Sequence, residues 1–292
     1  MRLERLAPAK VNLYLHVGPP RADGYHPLCS LAAFADVGDV VRLESADEMG
    51  FEIEGPFGGA LAGEPDNLVV RARDLALAGQ GGAAAPFRLV LDKRLPIAAG
   101  LGGGSSDAAA TLRLVQAALG EGEDLPKLLA LAGELGADGP MCVEARPVLA
   151  TGRGDVLAPP PPFPDLPAVL VNPLKPSPTG AVYRAYDAAG APGGADAPAW
   201  PVTVASVRDM AAFLAACRND LEAPATRMQP AIAEVLAALR ARPETLLARM
   251  SGSGATCFAL CADPAARDAL AAAVRAAHPG WWVAPCVLGG SA

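Results

Sequence analysis

Histidine and paired cysteine are scarce in this chain of 292 residues, which holds three His and six Cys. So few histidines exclude a His-rich zinc centre. The cysteines, at 29, 142, 217, 257, 261 and 286, form no C-x-x-C pair and read as reduced, mostly buried thiols of a cytoplasmic protein. Basic charge is short as well, because 24 Lys+Arg against 31 Asp+Glu leave a net charge of −7. A nonspecific nucleic-acid binder needs a basic excess, so nucleic acid is excluded as a partner. The same balance says little about small anionic ligands, since a local pocket can be positive on an acidic protein. No window approaches the ~18 uninterrupted apolar residues of a membrane span. The first residues, Met1 to Pro8, hold no apolar stretch of the signal-peptide kind, so neither a leader nor a membrane contact is expected. Aromatics make up only 5 %.

Small residues and turn formers are plentiful instead, with 31 Gly and 29 Pro interleaved among periodic segments. The length suits two domains at roughly 100–200 residues each. Alternation over Val11–Val17 predicts a half-buried strand, and Val40–Leu43 and Phe87–Leu91 read as further strands. A helix is expected from near Ser105, with Ala108, Leu112, Val115 and Leu119 on one face. Another is expected over Asp124–Leu135, capped by Asp124 and stopped by Gly136. The proline run in Leu157–Pro167 marks a stiff connector. Beyond it come strand 168–171, helices 206–216 and 230–240, strands 245–250 and 256–261, a helix from Asp263 to about Ala277 and strand 281–287. The intervening Ala188–Pro201 reads as an exposed loop. That order approximates β-α-β-β-α-β with one extra helix, a split ferredoxin-like arrangement. Two α+β domains meeting near 155–166 are the expected architecture.

Five segments could carry chemistry. Pro96 to Ala109 sets four glycines and two serines at the head of an amphipathic helix, where backbone N–H groups and the helix dipole favour an anion. It lacks the lysine of a Walker loop and the G-x-G-x-x-G spacing of a dinucleotide fold, and it could be a plain flexible helix cap. Lys10 and Asn12, two apart on a strand, share one face, though either could be an ordinary solvated group. Tyr25-His26 offers a ring face beside a hydrogen-bonding imidazole, the means of holding a nucleobase, or else a turn whose rings pack on the surface. Asp138, between Gly and Pro, is a candidate base or cation holder, or an Asx-turn residue. Met250-Ser-Gly-Ser-Gly-Ala-Thr256 is a second small-residue loop that could be a simple hairpin.

Taken in order, these segments resemble the GHMP kinases. The family's Pro-x₃-Gly-Leu-Gly-Ser-Ser-x-Ala appears as Pro96 to Ala108 with two glycines inserted before the serines. That longer form resembles the branch acting on a cytidine-diphosphate-linked methylerythritol. So do Pro8–His16, Arg21–His26, Asp66–Ala72, Gly136–Pro140, Gly152–Leu157, Arg218–Glu222 and Met250–Thr256. The resemblance implies an α+β two-domain GHMP-kinase fold, with a nucleotide-binding domain over 1–156 and a ferredoxin-like α+β domain over 157–292.

It further implies a phosphotransferase using ATP and Mg²⁺ on a small-molecule alcohol, in a monomer or weak homodimer. Lys10 and Asp138 match the catalytic pair, Asp138 taking the hydroxyl proton and Lys10 orienting it and keeping the carboxylate ionised. ATP would be held by Asn67, Lys93, Pro96, Ile97, Ala98, Ala99, Gly100, Leu101, Gly102, Gly103, Gly104, Ser105 and Ser106. Asn12, Tyr25 and His26 match residues that hold the cytidine diphosphate, and Tyr183 would sandwich the cytosine with Tyr25. No metal ligand is assigned, Ser105 and Ser106 being candidates. Gly139 stands where a branched apolar residue is expected, so a looser backbone is expected after Asp138. The rival readings are a family member with a homoserine or mevalonate acceptor, a noncatalytic nucleotide sensor and a structural interaction protein. The first lacks a base for Tyr25 and Tyr183 to stack on. The second has no use for both Lys10 and Asp138, and the third none for the phosphate loop.

Overall fold

A computed structural model describes residues 1–61, 63, 66–78, 85–120, 122–190 and 193–289. Its N-terminal part is built on two long antiparallel strands, β1 (Arg2–Val17) and β2 (Leu28–Ser45). The free edge of β2 is shared in succession. Residues 28–32 pair with β5 (Val148–Gly152) and residues 40–45 with β4 (Phe87–Asp92), and β3 (Gly50–Glu54) lies parallel to β4. The short β6 (Val156–Ala158) closes onto β5. Helices α1 (Leu68–Leu77), α2 (Gly103–Ala118), α3 (Leu125–Leu135) and α4 (Gly139–Glu144) complete this part. Their apolar faces share a core with Phe34, Val41, Leu43, Leu89 and Leu91.

The C-terminal part holds β7 (Leu166–Asn172), β8 (Thr245–Met250), β9 (Cys257–Cys261) and β10 (Trp282–Leu288) in the antiparallel order β10-β7-β9-β8. Numbered within that part the order is 4-1-3-2, the ferredoxin-like arrangement expected from the sequence. The crossover from β7 to β8 carries α5 (Thr179–Ala188), α6 (Val207–Ala215), α7 (Glu222–Met228) and α8 (Ala231–Arg240), and α9 (Pro264–Ala277) joins β9 to β10. Four helices thus stand where two were read. The buried face of α5 is narrow, carried by Val182 and Tyr186, and α7 is only seven residues long. Within the expected loop 188–201, Ala191 and Pro192 lie outside the described residues, and Trp200 packs on Phe213 of α6 at 4.6 Å.

The two parts join in the sheet through the pair Leu288–Ala35. They also share a core in which Val11, Leu13, Leu31 and Ala33 meet Leu170, Leu214, Phe258 and Leu260. That shared core corrects the expectation for Val11–Val17. Every residue from Ala7 to Val17 is buried, so the alternation does not mark a solvated face. Asn12 and His16 are buried polar groups with partners: Asn12 Nδ2 donates to Ser30 Oγ, and His16 Nδ1 meets the Asp196 carbonyl. All six cysteines are free and buried.

Candidate active site

Between the two parts lies a cavity of about 580 Å³. Its floor is the segment from Pro96 to Ser105, which turns from β4 into α2. Ala98, Gly100 and Gly102 take left-handed backbone (φ 50°, 73° and 64°), so the chain reverses sharply there. Each carbonyl from 99 to 101 is engaged by a wall: Thr256 N–H donates to Ala99 O, Ser251 Oγ to Gly100 O and Lys10 N–H to Leu101 O. The oxygens that would repel an anion are thereby occupied. Ser106 N–H is the first to donate back along the helix, to Gly102 O at 3.0 Å. The N–H groups of Gly103, Gly104 and Ser105 precede it, in the position where a helix N-terminus receives an anion.

Lys10 Nζ stands 3.0 Å from Asp138 Oδ2 and 3.2 Å from Asn12 Oδ1, and all three residues line the cavity. Asn12 N–H also donates to Ser251 Oγ, which ties this cluster to the second glycine loop. Asp138 caps α4, and the backbone after it is tight, which corrects the expected looseness. At Gly139 an added Cβ would collide with the Ala132 carbonyl of α3, and its N–H donates to Gly136 O at 3.0 Å. Only glycine fits this approach, so the backbone after Asp138 is packed directly against α3.

Two expected nucleotide contacts sit differently. Lys93 reaches the cavity wall, but its Nζ is clamped between Asp39 Oδ2 (2.5 Å) and Asp107 Oδ2 (2.6 Å), all three groups buried. Burial alone lowers the Lys93 pKa, yet Asp107 and Asp39 outweigh it and the ammonium is held above its ordinary value. Burial pushes the Asp107 carboxyl up to about 7, against the pull of Lys93. Ser106 turns its hydroxyl away from the cavity, donating to Pro8 O at 2.8 Å. Asn67 caps α1, its Oδ1 accepting from Val69 N–H, and lines the cavity.

The residues of the expected base site each have a ring or cation partner. Tyr183, on α5, lines the cavity and packs on His26 with ring centroids 5.1 Å apart. Burial and the charge of Asp138 push its phenol up to about 12. Tyr25 is 57 % exposed and lies under Arg153, whose Cζ is 4.7 Å from the ring centroid. Each tyrosine thus has its own partner, Tyr183 the His26 ring and Tyr25 the Arg153 guanidinium. His26 Nδ1 meets Gly18 O, and its Nε2 is 3.3 Å from Asp187.

Sequence reasoning missed the wall residues Ser30 and Thr179, and it named Ser251, Ser253 and Arg153 only as members of the segments Met250–Thr256 and Gly152–Leu157, with no role for any of them. The segment Arg218–Glu222, which the sequence offered only as part of the resemblance, has a visible role in the structure. Asn219 Nδ2 holds the carbonyls of Met250 and Gly252, Glu222 accepts from Met250 N–H, and Asp220 accepts from Val17 N–H. That motif braces the second glycine loop against β1.

Known proteins resemble this chain along nearly its whole length. Residues 67–145 match the family described as GHMP kinases N terminal domain, and residues 203–280 match GHMP kinases C terminal. The chain belongs to the GHMP kinase family. A 4-diphosphocytidyl-2-C-methyl-D-erythritol kinase of Caulobacter vibrioides (strain NA1000 / CB15N) is 56 % identical over 289 residues, which cover 99 % of this chain and 100 % of that protein. The protein of the same name from Caulobacter sp. (strain K31) is 57 % identical over 291 residues, 99 % of each chain. The crystal structure of a 4-(cytidine 5'-diphospho)-2C-methyl-D-erythritol kinase superposes with a TM-score of 0.79 at 38 % identity, covering 99 % of this chain and 100 % of that one. As a GHMP kinase the chain is a phosphotransferase that uses ATP. Among the described residues no helix is long and apolar enough to cross a membrane.

Proposed function

We propose that the chain transfers the γ-phosphoryl group of ATP to the 2-hydroxyl of 4-diphosphocytidyl-2-C-methyl-D-erythritol. The products are ADP and the 2-phosphate, an intermediate of the non-mevalonate route to isoprenoid precursors. One observation carries this reading: the Lys10–Asp138 pair opens on the same cavity as the glycine loop and Tyr183. The names of the full-length relatives support it. The chain is read as two units, 1–156 and 157–292, in a cytoplasmic monomer or weak homodimer.

Phosphoryl transfer passes through a loose transition state that needs positioning and charge neutralisation more than covalent help. The N–H groups at the head of α2 take the triphosphate, with Asn67 beside them. Asp138 accepts the proton of the acceptor hydroxyl, and Lys10, braced by Asn12, orients that hydroxyl and balances the developing charge. The wall offers hard oxygen donors, the Ser105 hydroxyl and the Asp138 carboxylate, which suit Mg²⁺ carried on phosphate oxygens. That cation would supply charge neutralisation at the phosphates. His26 and Tyr183 receive the cytosine, and Tyr25 keeps one ring face for it while Arg153 covers the other.

The test is ATP consumption against a panel of cytidine-diphosphate-linked and uncharged alcohol acceptors. Turnover is expected with the methylerythritol compound, and equal turnover with homoserine or mevalonate would overturn the reading. Asp138→Asn is expected to abolish turnover while ATP binding by calorimetry stays close to wild type. Near-normal turnover in that variant would remove Asp138 from the role of base.

A further inference from the structure

Lys10, Lys93 and Arg153 are the three cations of the cavity wall. The first two already face carboxylates at 3.0 Å or less. Arg153 makes no ion pair within 4 Å among the described residues. It occupies the turn between β5 and β6, where Gly152 and Gly154 take positive φ (70° and 99°) and Gly154 N–H closes onto Thr151 O. Asp155 Oδ1 accepts the backbone N–H of Arg153 at 2.8 Å, which fixes the turn without engaging the guanidinium. The register of β2 on β5, with Leu28 opposite Gly152, sets this turn beside the loop that carries Tyr25 and His26. The guanidinium therefore lies on the Tyr25 ring, an arrangement that holds its plane while its N–H groups remain available.

We infer that Arg153 is a specificity-determining residue that grips the diphosphate of the acceptor. The inference rests on the proposed acceptor and adds the group that tells a nucleoside diphosphate from the bare nucleoside. In that acceptor the diphosphate links the base to the alcohol, so it must pass between the Tyr25–His26–Tyr183 cluster and Asp138. A planar guanidinium binds two phosphate oxygens in parallel, and a phosphate offers Arg153 the partner that no described carboxylate supplies. The triphosphate of ATP has the same chemistry but is served by the head of α2, and varying the two substrates separately distinguishes the sources.

The experiment compares the full-length chain with R153Q and R153K. R153Q is expected to raise the KM for the acceptor about 10- to 100-fold, the worth of a charged hydrogen-bonded contact, with kcat within about twofold and the ATP KM unchanged. Calorimetry with CDP and with cytidine is expected to show wild type preferring CDP, R153Q losing most of that preference and R153K regaining part. An unchanged acceptor KM, or a rise confined to the ATP KM, would overturn the assignment. Should wild type fail to phosphorylate the acceptor, the functional reading falls while the CDP–cytidine comparison still decides the role of Arg153. Equal loss of CDP and cytidine in R153Q would count against it.

Discussion

Lys10 and Lys93 stand under consecutive glycines at the head of α2. A Cβ on Gly102 would meet Lys10 Cε at 3.1 Å, and one on Gly103 would meet Lys93 Nζ at 3.1 Å. Both ammonium groups are buried and both face aspartate, so by residue type they are alike. Their partners differ. Asp138 keeps 38 % of its side chain exposed toward the cavity, whereas the side chains of Asp39 and Asp107 are sealed at 0 % and 3 %. A carboxylate that meets incoming ligand can exchange a proton with it. One enclosed on every side can only shape the loop above it. Chemistry and scaffolding are thus separated by the exposure of the acid.

Replacing each lysine by methionine sharpens that comparison. Lys10→Met is expected to lower turnover about 10²–10⁴-fold, the scale of a positioned proton-transfer group, with the melting temperature nearly unmoved. Lys93→Met is expected to cost about 3–5 kcal/mol of stability, because it strands two buried carboxylates. Denaturant melts of the pair check this, and equal stabilities would erase the distinction.

Asp107→Asn probes the sealed cluster through pH. Burial pushes the folded carboxyl up to about 7, well above the ordinary carboxylate range, so its contribution to stability is full below about pH 4 and lost as pH rises toward 7. Wild type should therefore lose stability between about pH 4 and 7. The variant should show a flatter profile and exceed wild type at pH 8 by about 1 kcal/mol, roughly 2–4 °C in melting temperature. Parallel profiles would show that Asp107 does not titrate there. The smallest effect expected is at Tyr25. Tyr25→Ala should weaken the cytidine acceptor by about 1 kcal/mol, near fivefold in KM, and leave ATP untouched. Equal losses for both substrates would refute a stacking role.

What could be read in the residues depended on how local their signal was. Asp124, Pro126 and Gly136 frame α3 because a cap, a first-turn proline and a terminal glycine each act within a few residues. The glycine loop was equally plain, since left-handed turns and close approach demand that residue type. Lys93 could not be separated from Lys10, because what distinguishes them is a carboxylate 54 positions away. The role of Arg153, seen in the sequence only as part of Gly152–Leu157, stayed hidden because its place over Tyr25 comes from the β2–β5 register, which no single stretch encodes. The polar positions of β1 misled for a related reason. Asn12 and His16 alternate as on a solvated strand, yet they bond inward across distant elements.

The glycine loop near residue 100 carries a consequence for synthesis. Its carbonyls are held by Ser251 and Thr256, and at Gly100 a Cβ would collide with the Ser251 carbonyl. A nascent chain emerges in order, so the loop leaves the ribosome about 150 residues ahead of the groups that close it. The newborn first half therefore carries the glycines but not their working shape. The bonds to Ala99 O and Gly100 O form only once the loop between β8 and β9 has brought in Thr256 and Ser251.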